Sequence, residues 1–198
     1  MGNTESSSAK HKRRPSFKKR DGPDFRGAGC LFTNGDVILA GYQKKRGDIV
    51  ITGLGGKREE DESYIDTALR ETVEELFHVK EVPPKLIGAL KTHMKPVSVR
   101  GKEVPGWGVY VMVIYTFEDL ETLLKYAERS SIRTSLYDKF PKTVSDLLLE
   151  RRTGQSSSAP EIPYLSIVPL DPDYANAPIQ PEFLEDMEAI HRKLPPST

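Results

Sequence analysis

Residues 56–79, GKREEDESYIDTALRETVEELFHV, limit the fold more than any other stretch of the chain. They read as a short glycine-led loop running into a charged amphipathic helix. At about 100° per residue, Glu71, Glu74 and Glu75 fall at i, i+3 and i+4 and share one face, while Ile65, Leu69, Thr72 and Leu76 fall roughly opposite. One face is dry and the other acidic. Three carboxylates this close repel one another unless a cation sits among them, and an all-oxygen donor set suits Mg²⁺ or Mn²⁺. A run of acids is, in most proteins, only a solvated helix face. What sets this run apart is the fixed interval from glycine to arginine to glutamate.

Gly56, Glu62, Arg70, Glu71, Glu74 and Glu75 stand at the intervals G-x5-E-x7-R-E-U-x-E-E-x-G-U, where U is a bulky apolar residue, so the stretch resembles the signature of the Nudix hydrolases. Phe77 replaces the last glycine, and Thr72 and His78 replace apolar positions, with Val79 available for packing instead. A glycine there would end the helix in a left-handed cap, so a different exit turn or a longer helix is expected. The resemblance implies an α/β (α+β) fold, the Nudix fold, in which a mixed β-sheet is sandwiched between helices in α/β/α layers. It also implies Mg²⁺- or Mn²⁺-dependent hydrolysis of a pyrophosphate bond in a nucleoside diphosphate linked to another group. On that basis Glu74 and Glu75 are the expected metal ligands, Glu71 is a ligand or the base, Glu62 supports the metal shell and Arg70 holds the glutamates. Gly55, Gly56 and Lys57 would form the phosphate loop. A further carboxylate is expected from later in the chain, with Glu118 and Asp119 as candidates. Nucleotide sugars, dinucleoside polyphosphates, damaged nucleoside triphosphates, diphosphoinositol phosphates and the 5′ cap of messenger RNA all remain open as substrates. The alternative is a catalytically weak domain of the same fold, serving as a tethered binding module.

The 198 residues, 37% hydrophobic and 29% charged, suit one globular domain with tails. We expect a basic tail over 1–24, the catalytic domain over 25–175 with a helical insertion near 117–158, and a C-terminal helix and tail over 176–198. The formal charge is zero, but Lys10, Lys12, Arg13, Arg14, Lys18, Lys19 and Arg20 face only Glu5 in the first twenty residues. Met1-Gly2-Asn3-Thr4-Glu5-Ser6 fits the N-myristoylation pattern, with Gly2 as acceptor, and the basic patch behind it supplies the second signal that stable anchoring needs. Ser16, after Arg13-Arg14-Pro15, has the surroundings of a basophilic kinase site, and its phosphorylation would weaken such an attachment. A nuclear-localisation signal, an RNA-binding arm and a merely solubilising tail are the competing readings. Cys30 is the single cysteine, which points to a reducing compartment. The expected location is the cytoplasm, at an anionic membrane surface if the tail is lipidated, with the nucleus as the alternative. No apolar run reaches the length of a membrane span or of a signal-peptide core, so secretion by that route is not expected.

Asn34-Gly35 between two apolar runs predicts a hairpin. Lys44, Lys45 and Arg46 are cations for the mouth of a polyphosphate cleft or for a solvated loop. Ile49–Thr52 predicts a strand leading into a glycine turn at 53–56. After the Pro83-Pro84 break, 86–91 reads as a strand joined through the Pro105-Gly106 turn to a central strand at 107–115. Trp107 and Tyr110 are stacking candidates, though aromatic residues at strand positions more often serve packing, and His93 is a lone histidine between strands. Residues 117–129 and 141–152 carry helical periods, 162–168 reads as a last strand and 182–194 as a closing helix.

Overall fold

The computed structural model describes residues 24–152, 159–170, 174 and 177–191. Gly2 and Ser16 lie outside the described residues. The element order is β1 (Phe25–Thr33), β2 (Val37–Lys45), β3 (Asp48–Thr52), β4 (Leu54–Lys57), α1 (Tyr64–Phe77), α2 (Pro84–His93), β5 (Ser98–Val104), β6 (Gly108–Thr116), α3 (Phe117–Arg129), α4 (Val144–Leu149), β7 (Tyr164–Pro169) and α5 (Pro181–His191). The seven strands form one mixed sheet in the order β3-β2-β1-β6-β5, with β4 on β1 and β7 on β2. Only β1 and β6 pair in parallel; the remaining pairs are antiparallel.

The predicted hairpin joins β1 to β2, with Gly35 at φ 99° and the Asn34 side-chain oxygen accepting from the backbone of Asp36 and Val37. Beyond it the two strands part. β1 pairs with β2 only at Thr33↔Ile38, and Gly27–Cys30 take β4 as their neighbour instead. The glycine stretch expected to be a turn is therefore largely strand, and the loop before α1 is Arg58–Glu62.

Helices cover both faces. Leu69, Val73, Leu76 and Phe77 of α1, Leu86 and Leu90 of α2, and Leu120, Leu123 and Leu124 of α3 are fully buried in one core with β1 and β6 residues. Phe183, Met187 and Ile190 of α5 fill a second core against Leu31, Ile38, Met112 and Ile114. Each buried aliphatic side chain here contributes about 1.5–3 kcal/mol, so α5 is a true layer of the sandwich. Among the described residues, no helix is long and apolar enough to cross a membrane.

Two expectations are corrected. Residues 86–91 are helical: Pro84 occupies the first turn, where its missing N–H costs nothing, and Leu86 and Leu90 share a face at i, i+4. The short apolar run had concealed that period. The strand joined to β6 through Pro105-Gly106 is β5, whose residues alternate partly buried and exposed. His93, the last residue of α2, is exposed and stacks on Tyr126 with ring centroids 4.7 Å apart, so it belongs to that surface.

Candidate active site

α1 begins at a capping box, in which the Ser63 hydroxyl accepts from the Asp66 backbone and the Asp66 carboxylate accepts from the Ser63 backbone. Its acidic face meets β4. The Gly55 N–H donates to Glu75 Oε2 at 2.8 Å. A side chain on Gly56 would place its Cβ 2.2 Å from Glu71 Oε2, so only glycine lets the strand lie this close to the acids. Gly55 sits at φ 149°, a conformation that disfavours other residues, with the Tyr110 hydroxyl against it.

Arg70 organises the cluster. Its Nε and Nη2 hold the two oxygens of Glu62 at 2.6 and 3.0 Å, its Nη1 donates to Glu71 and Glu74 at 2.9 and 3.1 Å, and Nη2 also reaches the Lys57 carbonyl at 2.8 Å. Burial would lower the guanidinium's pKa, but the surrounding carboxylates hold it above its usual value. Glu62 also accepts from the Glu59 N–H and the Thr67 hydroxyl. Burial opposes its ionisation, and these donors outweigh that, keeping its carboxyl below the usual range. Glu62 thus anchors Arg70 and does not line the hollow formed by the other glutamates. The Lys57 side chain is exposed and contributes its backbone carbonyl.

That hollow, of about 330 Å³, is lined by Glu71, Glu74, Glu75, His78, Val79, Ala159 and Glu161. Glu161, on the loop before β7, is a carboxylate from later in the chain that lines this hollow, which neither Glu118 nor Asp119 does. Asp119 is spent on the capping box of α3 with Thr116, and Glu118 is exposed beside Glu121 and Lys125. Glu161 accepts from Gln43 Nε2 at 2.6 Å. Burial is the main cause that raises the carboxyls of Glu71, Glu74 and Glu75, the last well above its usual value. Arg70 opposes the rise at Glu71 and Glu74, the Gly55 N–H opposes it at Glu75, and the Glu161 charge adds to it at Glu71 and Glu75.

Half-buried carboxylates that raise one another's pKa form the hard, anionic donor set that suits Mg²⁺ or Mn²⁺. By donor chemistry Glu71, Glu74, Glu75 and Glu161 fit such an ion. In the arrangement seen, Glu71 and Glu74 face Arg70 and Glu75 faces Gly55, and no group of three or more acids, histidines or cysteines among the described residues is gathered as a finished metal site.

Glu75 also lines a second space. A cleft of about 410 Å³ runs from Gly55 and Glu75 past Tyr110, Met112 and Phe183 to Trp107, with Lys45, Lys102 and Asp186 on its walls. Of the three predicted cations, Lys45 reaches this cleft and Lys44 and Arg46 do not line it. Trp107, 36% exposed, stands 6.0 Å from the Tyr110 ring. Burial pushes the Asp186 carboxyl up to about 6, against the pull of Lys102 and Arg100. α5 thus lines the site with Phe183 and Asp186, a contribution the sequence had not signalled.

The exit from α1 differs from the signature. His78, not residue 77, takes the left-handed conformation at φ 52°, and Val79 N–H closes back on the Glu74 carbonyl. Phe77 is fully buried and stacked on Phe140 at 5.0 Å, Thr72 is fully buried despite its hydroxyl, and Val79 packs at the core's edge.

No protein-family model and no curated protein matches the chain. Solved structures similar to it include a bifunctional NMN adenylyltransferase/ADP ribose pyrophosphatase from Francisella tularensis, complexed with AMP and Mn ion. The identity is 14% and the TM-score 0.49, over 86% of this chain and 42% of that one, so this chain spans less than half of that protein's length. A NUDIX hydrolase from Nitrosomonas europaea is 15% identical at a TM-score of 0.45, over 85% of this chain and 90% of its own. A Nudix hydrolase from M. smegmatis is 13% identical at 0.41, over 85% and 84%.

Proposed function

We propose that the chain is a Nudix-type pyrophosphohydrolase, cleaving a phosphoanhydride in a nucleoside diphosphate linked to a second group. The observation that carries this reading is that Glu75 is shared by the acidic hollow and the aromatic, cation-bearing cleft. A bond placed at Glu75 would have acids on one side and room for a base on the other. Bound by Glu71, Glu74, Glu75 and Glu161, Mg²⁺ or Mn²⁺ supplies Lewis-acid neutralisation of the phosphate oxygens and lowers the pKa of an attacking water. Lys45 and Lys102 offset the remaining phosphate charge along the cleft. Trp107 and Tyr110 offer ring faces to the base, and Asp186 offers it a hydrogen-bond acceptor. Glu71, Glu75 and Glu161 are the groups available to take the water's proton, and burial raises the carboxyls of the first two above their usual range.

The basic residues at 10–20 favour a large polyanion, such as capped RNA, or an anionic membrane near the substrate, with Gly2 as the lipidation site and Ser16 as its phosphorylation switch. A Mg²⁺- and Mn²⁺-dependent product screen over nucleotide sugars, dinucleoside polyphosphates, damaged triphosphates, diphosphoinositol phosphates and capped RNA, with and without chelator, tests the reading. Glu75→Gln should lower turnover by at least ~10²-fold while the protein stays folded. A folded protein that binds nucleotide and cleaves nothing in the panel would establish the binding-module alternative in its place.

A further inference from the structure

The last turn of any helix leaves carbonyls with no partner inside the helix. In α1 these include the carbonyls of Glu75 and Leu76, directly behind the acidic face. They are met from far along the chain. Arg151 Nη1 donates to the Leu76 carbonyl at 2.7 Å and Nη2 to the Glu75 carbonyl at 3.1 Å, and the Tyr137 hydroxyl reaches the Leu76 carbonyl at 3.1 Å. The same guanidinium donates to the Ile162 carbonyl through Nη2 and to the Pro163 carbonyl through Nε at 3.3 Å. Those two carbonyls directly follow Glu161. Arg151 is 8% exposed, and a bridge to Tyr137 together with the Arg152 N–H on the Leu136 carbonyl pins it in place.

We infer that Arg151 is a positioning residue that holds Glu161 opposite Glu75, by tying the last turn of α1 to the 161–163 loop. This deepens the proposed function and rests on it for its catalytic consequence, though not for its structural one. A planar guanidinium with five forked N–H donors can serve four carbonyls on two elements, and an ammonium cannot. Its charge also lies at the negative end of the α1 dipole. The segment that delivers Arg151 also supplies Phe140 and Tyr137, the rings that cover Phe77 in the place of the signature's glycine. Residues 136–151 therefore serve the Glu75 and Leu76 carbonyls, which the left-handed turn at His78 leaves open. They couple the end of the catalytic helix to the second source of acid, a link a glycine cap would not provide. Because a misplacement of the order of 1 Å at reacting groups can cost ~10²-fold in rate, loosening this tie should act on turnover more than on substrate affinity.

The test compares the full chain with R151K, R151M and Y137F, reading steady-state kinetics on the best substrate of the panel and amide hydrogen exchange with α3 as the internal control. In R151M, exchange should rise at least ~10-fold in both 75–80 and 161–165 and stay unchanged in α3. Its kcat should fall ~10–100-fold with KM within ~3-fold. R151K should fall between R151M and the unmodified chain. Y137F removes the hydroxyl bond to the Leu76 carbonyl and the acceptor of one Arg151 Nη1 N–H but leaves all four Arg151–carbonyl bonds, so it should loosen 75–80 more than 161–165. If R151M does not fold, the graded R151K effect and the asymmetry of Y137F carry the same test. Protection retained at 161–165 in R151M or R151K overturns the inference, as does unchanged kcat in a variant whose two segments have both opened. A wild-type chain inactive on the whole panel would defeat the proposed function, while the exchange readings would still decide whether the tie exists.

Discussion

Asp186, a residue only 8% exposed, sits on the wall of the cleft. Burial dominates its environment, Lys102 and Arg100 pull the other way, and Glu185 and Glu182 add to the rise, so the pKa moves from 3.8 to about 6. The folded state then binds the proton more tightly than the unfolded chain. Stability must therefore fall as pH rises from about 4 through 6, and stay reduced above that. The difference between those two values corresponds to ~3 kcal/mol. Asp186→Asn removes the charge at nearly the same volume, so the variant should exceed the unmodified protein by ~3 kcal/mol at pH 8. Near pH 4, close to the unfolded value of 3.8, where even the unfolded carboxyl is only about half ionised, the gap should shrink below ~1 kcal/mol. Urea unfolding at the two pH values reads this directly: with a slope of ~2 kcal/mol/M, the midpoint should move up by ~1.5 M at pH 8 and scarcely at all at pH 4. An equal gap at both pH values, or a variant less stable at pH 8, would show that Lys102 and Arg100 outweigh burial and would refute the argument. The same substitution removes an ionised acceptor from the cleft, so it should lower kcat/KM by ~10-fold for substrates that present N–H donors there. More stable but less selective is the combination expected of a charge kept for binding.

Gly56→Ala puts a methyl where Glu71 Oε2 lies, at 2.2 Å from the added carbon. The acid must swing away from Arg70, and activity should drop ~10²-fold with little change in thermal midpoint, as activity assays beside a melting curve would record. Phe77→Gly restores the signature letter but empties the space packed by Phe140 and Tyr137. It should cost ~4 kcal/mol by denaturant titration, whereas a neutral result would mean that the 136–151 segment does not lean on Phe77.

What could be read from the sequence and what could not divide along contact range. The acidic face of α1, its capping box, the Asn34-Gly35 hairpin and the period of α3 are set by residues within a turn or two of one another. The acidic face, the hairpin and the α3 period were therefore open to local spacing, the resemblance placed Arg70 among the glutamates, and the capping box was visible in the same way although it was not read. The α2 helix hid because Leu86, Ile87 and Leu90 make a run too short to show its period, and β5 because Ser98–Val104 carries glycine and alternating charge where a strand is expected to be apolar. Glu161 had no local signal at all. It stands between two prolines and lines the hollow through contacts far along the chain, where β7 pairs with β2 from Tyr164↔Tyr42 onward and Arg151 grips the carbonyls beside it. Glu118 and Asp119 looked better precisely where local logic governs, at a helix N-terminus, and Asp119 was already engaged there. The departure at Phe77 carried more information than the matches did. The left-handed turn moves one residue on, to His78, and the carbonyls of Glu75 and Leu76 that it leaves open are met by donors from a distant segment. Those donors include a buried arginine that also grips the two carbonyls after Glu161, so the end of α1 and the loop that carries this acid share one side chain.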